Sequence, residues 1–208
     1  MNAKALIIGV CAALALPVAA RTALDLFKEP GASVAFGELE PSTRLDMADY
    51  YLSGLDRPSA NRLGGTAVID TVTDLTVRVQ PAAMTQVDVC LLPGQDSVIM
   101  VIETTRLPQA DSRLAFYSTD WKPLRKKPLD KLVLTDWLTE QGRTDIRQVQ
   151  DWLPFMVARA QYNPETATLT VMNTLDQFYP APEDRDRIRR WIKPQLVYHW
   201  TGKTFRQL

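Results

Sequence analysis

The chain has 208 residues, and its 24 basic and 24 acidic residues give a formal net charge of zero at neutral pH. The two signs are interspersed, which argues against a nucleic-acid partner because phosphates call for a basic face. With one histidine and two cysteines, the chain also offers too few ligands for a zinc site, so we expect no metal ion and no other cofactor.

The first 20 residues have the pattern of a signal peptide. Lys4 gives a positive start, and an apolar run of about 12 residues follows, whereas a membrane span takes about 20. Small residues occupy the positions before Arg21 that a signal peptidase recognises, so we predict cleavage after Ala20. We therefore expect an exported protein, periplasmic or extracellular, with no stable membrane anchor after signal removal.

Removal of the signal peptide would leave a mature chain from residue 21 to residue 208 with a single cysteine. Lipidation of Cys11 is disfavoured because the branched Val10 stands directly before it. Cys90 would then have no partner for an intramolecular disulfide, so the fold must be stabilised by packing.

The first predicted helix begins at Ser42, a good N-terminal cap, and ends at Gly54. Its apolar residues fall at three- and four-residue spacing. They are Leu45, Ala48, Tyr51 and Leu52. A short helix with one apolar face needs a sheet to cover.

Five strand-like runs follow between Thr66 and Ser118, about ten residues apart, which is typical of an antiparallel meander. In residues 75–80, LTVRVQ, apolar and polar side chains alternate, so one face of the strand should be buried and the other exposed to solvent. Residues 97–103, SVIMVIE, are apolar on both faces, so we place this strand centrally, between the helix and the second half of the chain. The predicted turns are residues 73–74, 81–83 and 93–96.

The second half, after the linker of residues 122–128, shows a similar order of elements. Two short helices, a hairpin, a charged helix and a final hairpin are predicted. The first of these helices begins at Thr135 or Asp136 and ends at Gly142, and the second runs from Asp145 through Trp152. The charged helix begins at Pro182 and contains the pairs Glu183–Arg187 and Asp186–Arg190. The hairpins turn at residues 163–166 and 201–202.

These elements predict an α+β fold with antiparallel sheets and a few short helices, in a single domain of residues 21–208. The repeated order also fits two similar helix-plus-four-strand halves, residues 21–121 and 129–208, although the residue-level match between them is weak.

The order of landmarks resembles an uncharacterised family of exported Bacteroidales proteins, classed as a domain of unknown function. The resemblance is carried by NRLGGTAVIDTVTDLTVRV (residues 61–79), LLP (91–93), FYSTDWKPL (116–124) and the signal peptide running into TALDLF. It implies export and a compact α+β domain, and it implies no reaction.

Few residues are candidates for chemistry. His199 alternates with Tyr198 and Trp200 in the last predicted hairpin, and nothing near it resembles a nucleophilic serine, so we interpret it as structural or surface-exposed. Cys90 is predicted to pack on the less buried face of its strand, without a base to activate it. Asp46 and Asp49 share a helix face and are interpreted as solvated charges.

Three further patterns have a structural and a functional interpretation. The basic residues 122–127, KPLRKK, are expected to form a solvated loop rather than an anion site. RLGGT, residues 62–66, is expected to be a turn entering a strand rather than a phosphate loop. The tryptophans are expected to anchor the core, with Trp121 beside the basic loop as the alternative binding residue; they are Trp121, Trp137, Trp152, Trp191 and Trp200.

The sequence therefore predicts no catalytic residue and no metal ligand, and it leaves the binding residues unidentified. We predict an exported, non-enzymatic binding or interaction module of the cell envelope, whose partner is an unknown protein, a glycan or a small-molecule ligand. The alternative is a periplasmic hydrolase that uses carboxylates from separate segments of the chain.

Overall fold

The computed structural model describes residues 21–106, 108–179 and 181–208. The predicted signal peptide and Cys11 lie outside the described residues. The α-helices are α1 (Ala23–Lys28), α2 (Pro41–Leu52), α3 (Leu134–Trp137), α4 (Glu140–Thr144), α5 (Ile146–Trp152) and α6 (Pro182–Trp191), and 3₁₀ helices span Pro30–Val34 and Leu175–Gln177.

Two antiparallel sheets form the centre of the described part of the chain. The first sheet runs in chain order from β1 to β6, and the second has the order β10-β9-β8-β7. The strands are β1 (Ser59–Ala60), β2 (Thr66–Val72), β3 (Thr76–Ala82), β4 (Thr85–Leu92), β5 (Val98–Thr105), β6 (Asp111–Ser118), β7 (Ala158–Asn163), β8 (Thr168–Asn173), β9 (Gln195–Trp200) and β10 (Phe205–Gln207). The predicted α+β class is confirmed.

Strand β5 contributes to the core through both of its faces. Ile99 and Val101 pack with residues of α1 and α2, whereas Met100 and Ile102 pack with residues of the second sheet. The molecule is thus layered as helices, first sheet and second sheet. The central placement of residues 97–103 is confirmed, because a strand covered on both faces is apolar throughout.

Helix α2 begins differently from the prediction. Pro41 is its first residue, Glu40 is the capping position, and no side chain caps the helix. The fixed φ of proline suits the first helical position, where the missing N–H has no helical partner. Ser42 therefore lies inside the helix, and its predicted capping role is wrong.

The buried face of α2 also differs from the prediction. Ala48 is buried as expected, but Leu45 and Leu52 are 47% and 65% exposed. The face toward the sheet instead consists of Met47, Ala48 and the charged Arg44. Helix α1 explains the difference, since it supplies the apolar cover that the spacing in α2 was expected to give.

The predicted turn at residues 81–83 is displaced. Pro81 and Ala82 belong to β3, and the turn consists of Ala83 and Met84. The register of β3 against β4 shifts between Val79 and Ala82. A proline inside a sheet is tolerated at such an irregularity, where its missing N–H breaks no regular hydrogen bond.

The second half matches its predicted order with several corrections. The single helix predicted from Thr135 or Asp136 to Gly142 is divided into α3 and α4, and the capping position of α3 is Val133. Asp145 stands at the capping position of α5, but its side chain makes no capping hydrogen bond. Gly142 lies inside α4 rather than ending a helix, and Thr139 caps α4 by accepting a hydrogen bond from the Gly142 N–H at 3.0 Å. The ion pairs of α6 join Arg187 to Asp184 and Arg189 to Asp186, three residues apart, instead of the predicted pairs four apart. The helix start at Pro182 and both hairpins are confirmed.

Candidate functional site

Strand β6 is an edge strand of the first sheet, and its outer margin is the side that faces away from β5. Near its end this edge is already paired, because the Leu124 N–H donates to the Phe116 oxygen at 3.0 Å and the Ser118 N–H donates to the Lys122 oxygen at 2.9 Å. Main-chain groups alternate in direction along an antiparallel strand, so the N–H and C=O of Leu114 also point outward. In the described part of the chain, neither group of Leu114 has a hydrogen-bond partner there.

A first groove of about 550 Å³ opens on the side of β6 that faces the helices. Its floor includes Ala115 and Tyr117 of β6, and its rim includes Val34 and Leu63, whose exposed fractions are 57% and 71%. Exposed apolar side chains beside a groove are typical of an interaction site.

The rim of the first groove is held by local hydrogen bonds. The side-chain oxygen of Asn61 accepts from the N–H groups of Leu63 and Gly65 at 3.0 and 2.9 Å. Gly64 has a φ of 80°, which glycine adopts without strain. The Arg62 guanidinium donates to the Gly37 oxygen at 3.1 Å. The RLGGT motif is therefore a turn entering β2, as predicted, and it presents Leu63 to solvent.

A second groove of about 460 Å³ lies on the other side of β6, between this strand and the segment that follows the linker. Leu114 and Leu129 contribute apolar surface. Two basic side chains and one acidic side chain also line it, and they are Lys127, Lys131 and Asp130, whereas the Arg113 side chain is on the face of Ala115 and Tyr117 in the first groove. The second groove is therefore apolar at its base and positively charged at its border.

The linker has a larger role than a solvated loop. Lys126 and Lys127 are exposed as predicted, but Pro123 forms a bridge with Tyr117 at the sheet edge. Farther on, the Pro128 oxygen accepts from the Phe205 N–H at 2.9 Å, which fixes the linker against β10. These contacts at both ends hold the wall of the second groove in place.

His199 and the two acids of α2 lie elsewhere. His199 is exposed, while its neighbours Tyr198 and Trp200 are buried on the opposite face of β9, as predicted. Asp46 and Asp49 are exposed on α2 and line neither groove. Their interpretation as solvated charges agrees with this placement.

Cys90 is more buried than predicted. It is 1% exposed and packs in the core between the two sheets, because its face of β4 is covered by the second sheet. The expectation of a less buried face is wrong, whereas the packing role is confirmed. Burial, together with the nearby Asp88 carboxylate, raises the pKa of the Cys90 thiol.

We therefore expect Cys90 to react with a thiol reagent such as dithionitrobenzoate at least about 100-fold more slowly in the folded protein than in denaturant. The reason is that the thiolate is the reactive form, and burial disfavours it. Absorbance of the released thionitrobenzoate at pH 8 measures the rate, and the Cys90→Ala variant supplies the blank. Rapid labelling in native buffer is the contrary result.

Four of the five tryptophans anchor the core, as predicted. Three of these indole N–H groups have partners inside the protein: Trp121 donates to the Leu26 oxygen at 3.1 Å, Trp191 donates to Asp145 Oδ2 at 2.9 Å, and Trp200 donates to the Pro93 oxygen at 2.7 Å. Trp121 is therefore not available beside the basic loop. Trp152 is partly exposed, and the Arg187 guanidinium lies 5.8 Å from its ring centre.

Residues 21–106, 108–179 and 181–208 contain neither a metal-binding cluster nor a membrane-spanning helix. No three His, Cys, Asp or Glu side chains in these ranges are placed to hold a metal ion together. None of the helices in the same ranges is both long enough and apolar enough to cross a membrane.

Fold and site together define an α+β protein with two packed antiparallel sheets and an open strand edge between two grooves. The chain belongs to the family described as "Protein of unknown function (DUF3256)", which matches residues 15–205. The predicted resemblance to a family of unknown function is thereby confirmed, while export remains a prediction.

The chain is similar over most of its length to a solved structure, "Structure of a domain of an uncharacterized protein from Porphyromonas gingivalis W83". It has a TM-score of 0.70 and 22% sequence identity, and the match covers 88% of this chain and 95% of that one. At this identity the likeness shows a shared fold alone. No curated protein matches the sequence.

Sequence reasoning did not identify the margin of β6 as a site. The strand itself was predicted from its alternation, but its position at the edge depends on where the linker pairs. The signal available was the polar start of the run, DSR at residues 111–113, since charged residues are frequent on exposed edge strands.

Proposed function

We propose that this protein is an exported binding module of the cell envelope that holds a partner protein at the margin of β6. The observation that carries the proposal is the outward main chain of Leu114, which opens between two grooves. Exposed sheet edges are used repeatedly for binding other polypeptides, because they offer unpaired hydrogen-bonding groups.

The side chains around the margin support the same function. Val34 and Leu63 expose apolar surface at the first groove, and Glu103 faces Arg113 across β5 and β6 without an ion pair between them in the described part of the chain. An apolar centre with charged groups at its border is typical of protein interfaces. Export is supported by the signal-peptide pattern of residues 1–20.

The proposal is tested by placing a photo-crosslinking amino acid at position 63 of the full-length protein in its own cells. We expect a discrete crosslinked product in the exported fraction, and a mature chain whose mass corresponds to a start at Arg21. Gel mobility and mass spectrometry measure both.

The matched control places the same amino acid at position 45, where Leu45 is exposed on α2 but lines neither groove. Equal crosslinking at both positions, or none at position 63, would contradict binding at this margin. A protein that starts at Met1 in the cytoplasm would contradict export.

A periplasmic hydrolase is the second candidate, because Glu38 and Glu103 line the first groove from separate segments of the chain. Two carboxylates from different segments are the usual requirement for cleavage of a glycosidic bond. Against it, Glu103 is exposed, while a general acid normally lies in an apolar pocket. Release of sugar from cell-wall glycan by the wild type, lost in Glu103→Gln, would favour the hydrolase.

A further inference from the structure

We infer that the partner binds as an extended segment that adds a strand to β6, and that this segment alternates acidic with apolar side chains. The inference rests on the proposed function and specifies the chemistry of the partner at the same site. Three features of the structure support it: the unpaired main-chain groups at the edge of β6, the two grooves beside this edge, and the positive charge of the second groove.

The open stretch of the edge is short and bounded at both ends. At one end, Leu124 already pairs with Phe116. At the other, β7 closes the edge, since the Ala158 N–H donates to Asp111 Oδ1 at 3.1 Å and the Ala160 N–H donates to Ser112 Oγ at 2.9 Å. Between these contacts residues 113–115 of β6 remain open, so an added strand finds room to pair about three residues, at about 3.3 Å per residue.

The neighbouring strand edges are partly covered by the protein itself. The Ala158 and Ala160 N–H groups of β7 bond to the side chains of Asp111 and Ser112, and the Phe205 N–H of β10 bonds to the Pro128 oxygen. Natural proteins usually cover or charge such edges to prevent unwanted pairing. The uncovered main chain of Leu114 is therefore a surface that accepts a strand.

The side chains of an added strand would alternate between the two grooves, because successive residues of a strand point to opposite faces. On the side of the helices they would meet the apolar surface of Ala115, Val34 and Leu63 in the first groove. On the other side they would meet Lys127 and Lys131 in the second groove.

The charge of the second groove selects acidic side chains. Lys127 and Lys131 make no ion pair with any residue that the structure describes, and Asp130 is the one acidic residue of this lining. Exposed ion pairs are weak and screened by salt, so binding should be modest and should weaken as ionic strength rises.

The test uses the purified mature chain and a synthetic peptide of eight residues that alternates glutamate and valine, acetylated and amidated at its ends. We expect the peptide to slow hydrogen exchange of the Leu114 amide at least about tenfold, because this N–H becomes a donor to the added strand. Nuclear magnetic resonance measures it residue by residue. The matched peptide of alternating lysine and valine should bind at least about tenfold more weakly.

Two proline variants examine the hydrogen bonds. Leu114→Pro removes an N–H that points away from β5, and we expect it to weaken binding at least about tenfold while the sheet persists. Gln207→Pro makes the same change at an outward position of the edge strand β10 and should bind the peptide as the wild type does.

The double variant Lys127→Glu with Lys131→Glu tests the charge of the second groove. It should bind the lysine–valine peptide more tightly than the glutamate–valine peptide, which reverses the preference of the wild type.

Several results would overturn the inference and leave the proposed function standing. One is a crosslink at position 63 with no binding of the acidic peptide. Another is peptide binding that leaves exchange at Leu114 unchanged in the wild type, a measurement that does not depend on whether Leu114→Pro folds. A third is self-association through β6 in sedimentation experiments, which would assign the edge to a second copy of this chain.

Discussion

Replacing Arg44 with methionine is expected to lower the free energy of unfolding by at least about 4 kcal/mol, because four acceptors would lose their donor and each buried polar group left without a partner costs about 1–3 kcal/mol. Arg44 is fully buried in α2. Its guanidinium donates to the main-chain oxygens of Phe27, Glu29 and Leu39 at 3.0, 2.7 and 3.3 Å, and to Ser33 Oγ at 3.2 Å. Methionine would fill the space and satisfy none of these acceptors.

Urea unfolding followed by circular dichroism measures the effect of Arg44→Met. The control is Arg147→Met, since Arg147 is exposed on helix α5. We expect the control to change the free energy of unfolding by less than about 0.5 kcal/mol. Similar small effects of both substitutions would show that Arg44 does not organise the segment between α1 and α2.

Gly142→Ala is expected to destabilise the protein by about 3 kcal/mol, at the upper end of the cost of overpacking. In an ordinary helix this change would stabilise by about 1 kcal/mol, because alanine has the higher helix propensity. Here a Cβ at position 142 would lie closer than 3.0 Å to the Trp191 oxygen. The same oxygen accepts from the Thr139 N–H at 2.9 Å, so the substitution would separate the start of α4 from the end of α6.

Gly37→Ala serves as the control, because a Cβ at position 37 would meet nothing within 4 Å. The midpoint of thermal unfolding, read at one scan rate for both variants, makes the comparison. A Gly142→Ala protein as stable as the wild type would mean that α4 and α6 separate without cost.

Much of the sheet structure was predictable because every second side chain of a strand points to the same face of the sheet. The alternation in LTVRVQ and the doubly apolar run SVIMVIE located β3 and β5 correctly, and the turns at residues 73–74 and 93–96 followed from their own side chains. These features are local, so the sequence displays them directly.

The features that were not predicted depend on contacts between distant segments. Arg44 is charged, and its main-chain acceptors lie 5 to 17 residues away along the chain, so its burial has no local pattern. Helix α1 is only six residues long, although its capping box of Thr22 and Asp25 is a local signal. Cys90 was misjudged because the cover on its face comes from the second sheet.

The candidate site was the least predictable part. Leu63 and Lys131 come from segments almost seventy positions apart along the sequence, and only the path of β6 brings their grooves to one margin. The proline-containing linker was recognised as a basic loop, but its pairing with Tyr117 depends on the folded sheet. Edge strands and inner strands can have the same alternation, so periodicity alone does not separate them.

Residues 127–131, where the linker ends, combine an anchored residue with exposed neighbours. Leu129 is buried in the core, whereas Lys127, Asp130 and Lys131 are exposed around it. Substitution of these three positions would alter the character of the second groove and leave the packing of both sheets intact. Descendants of one ancestral scaffold could thus diverge in what they recognise through a few surface changes, long before their architecture drifts apart.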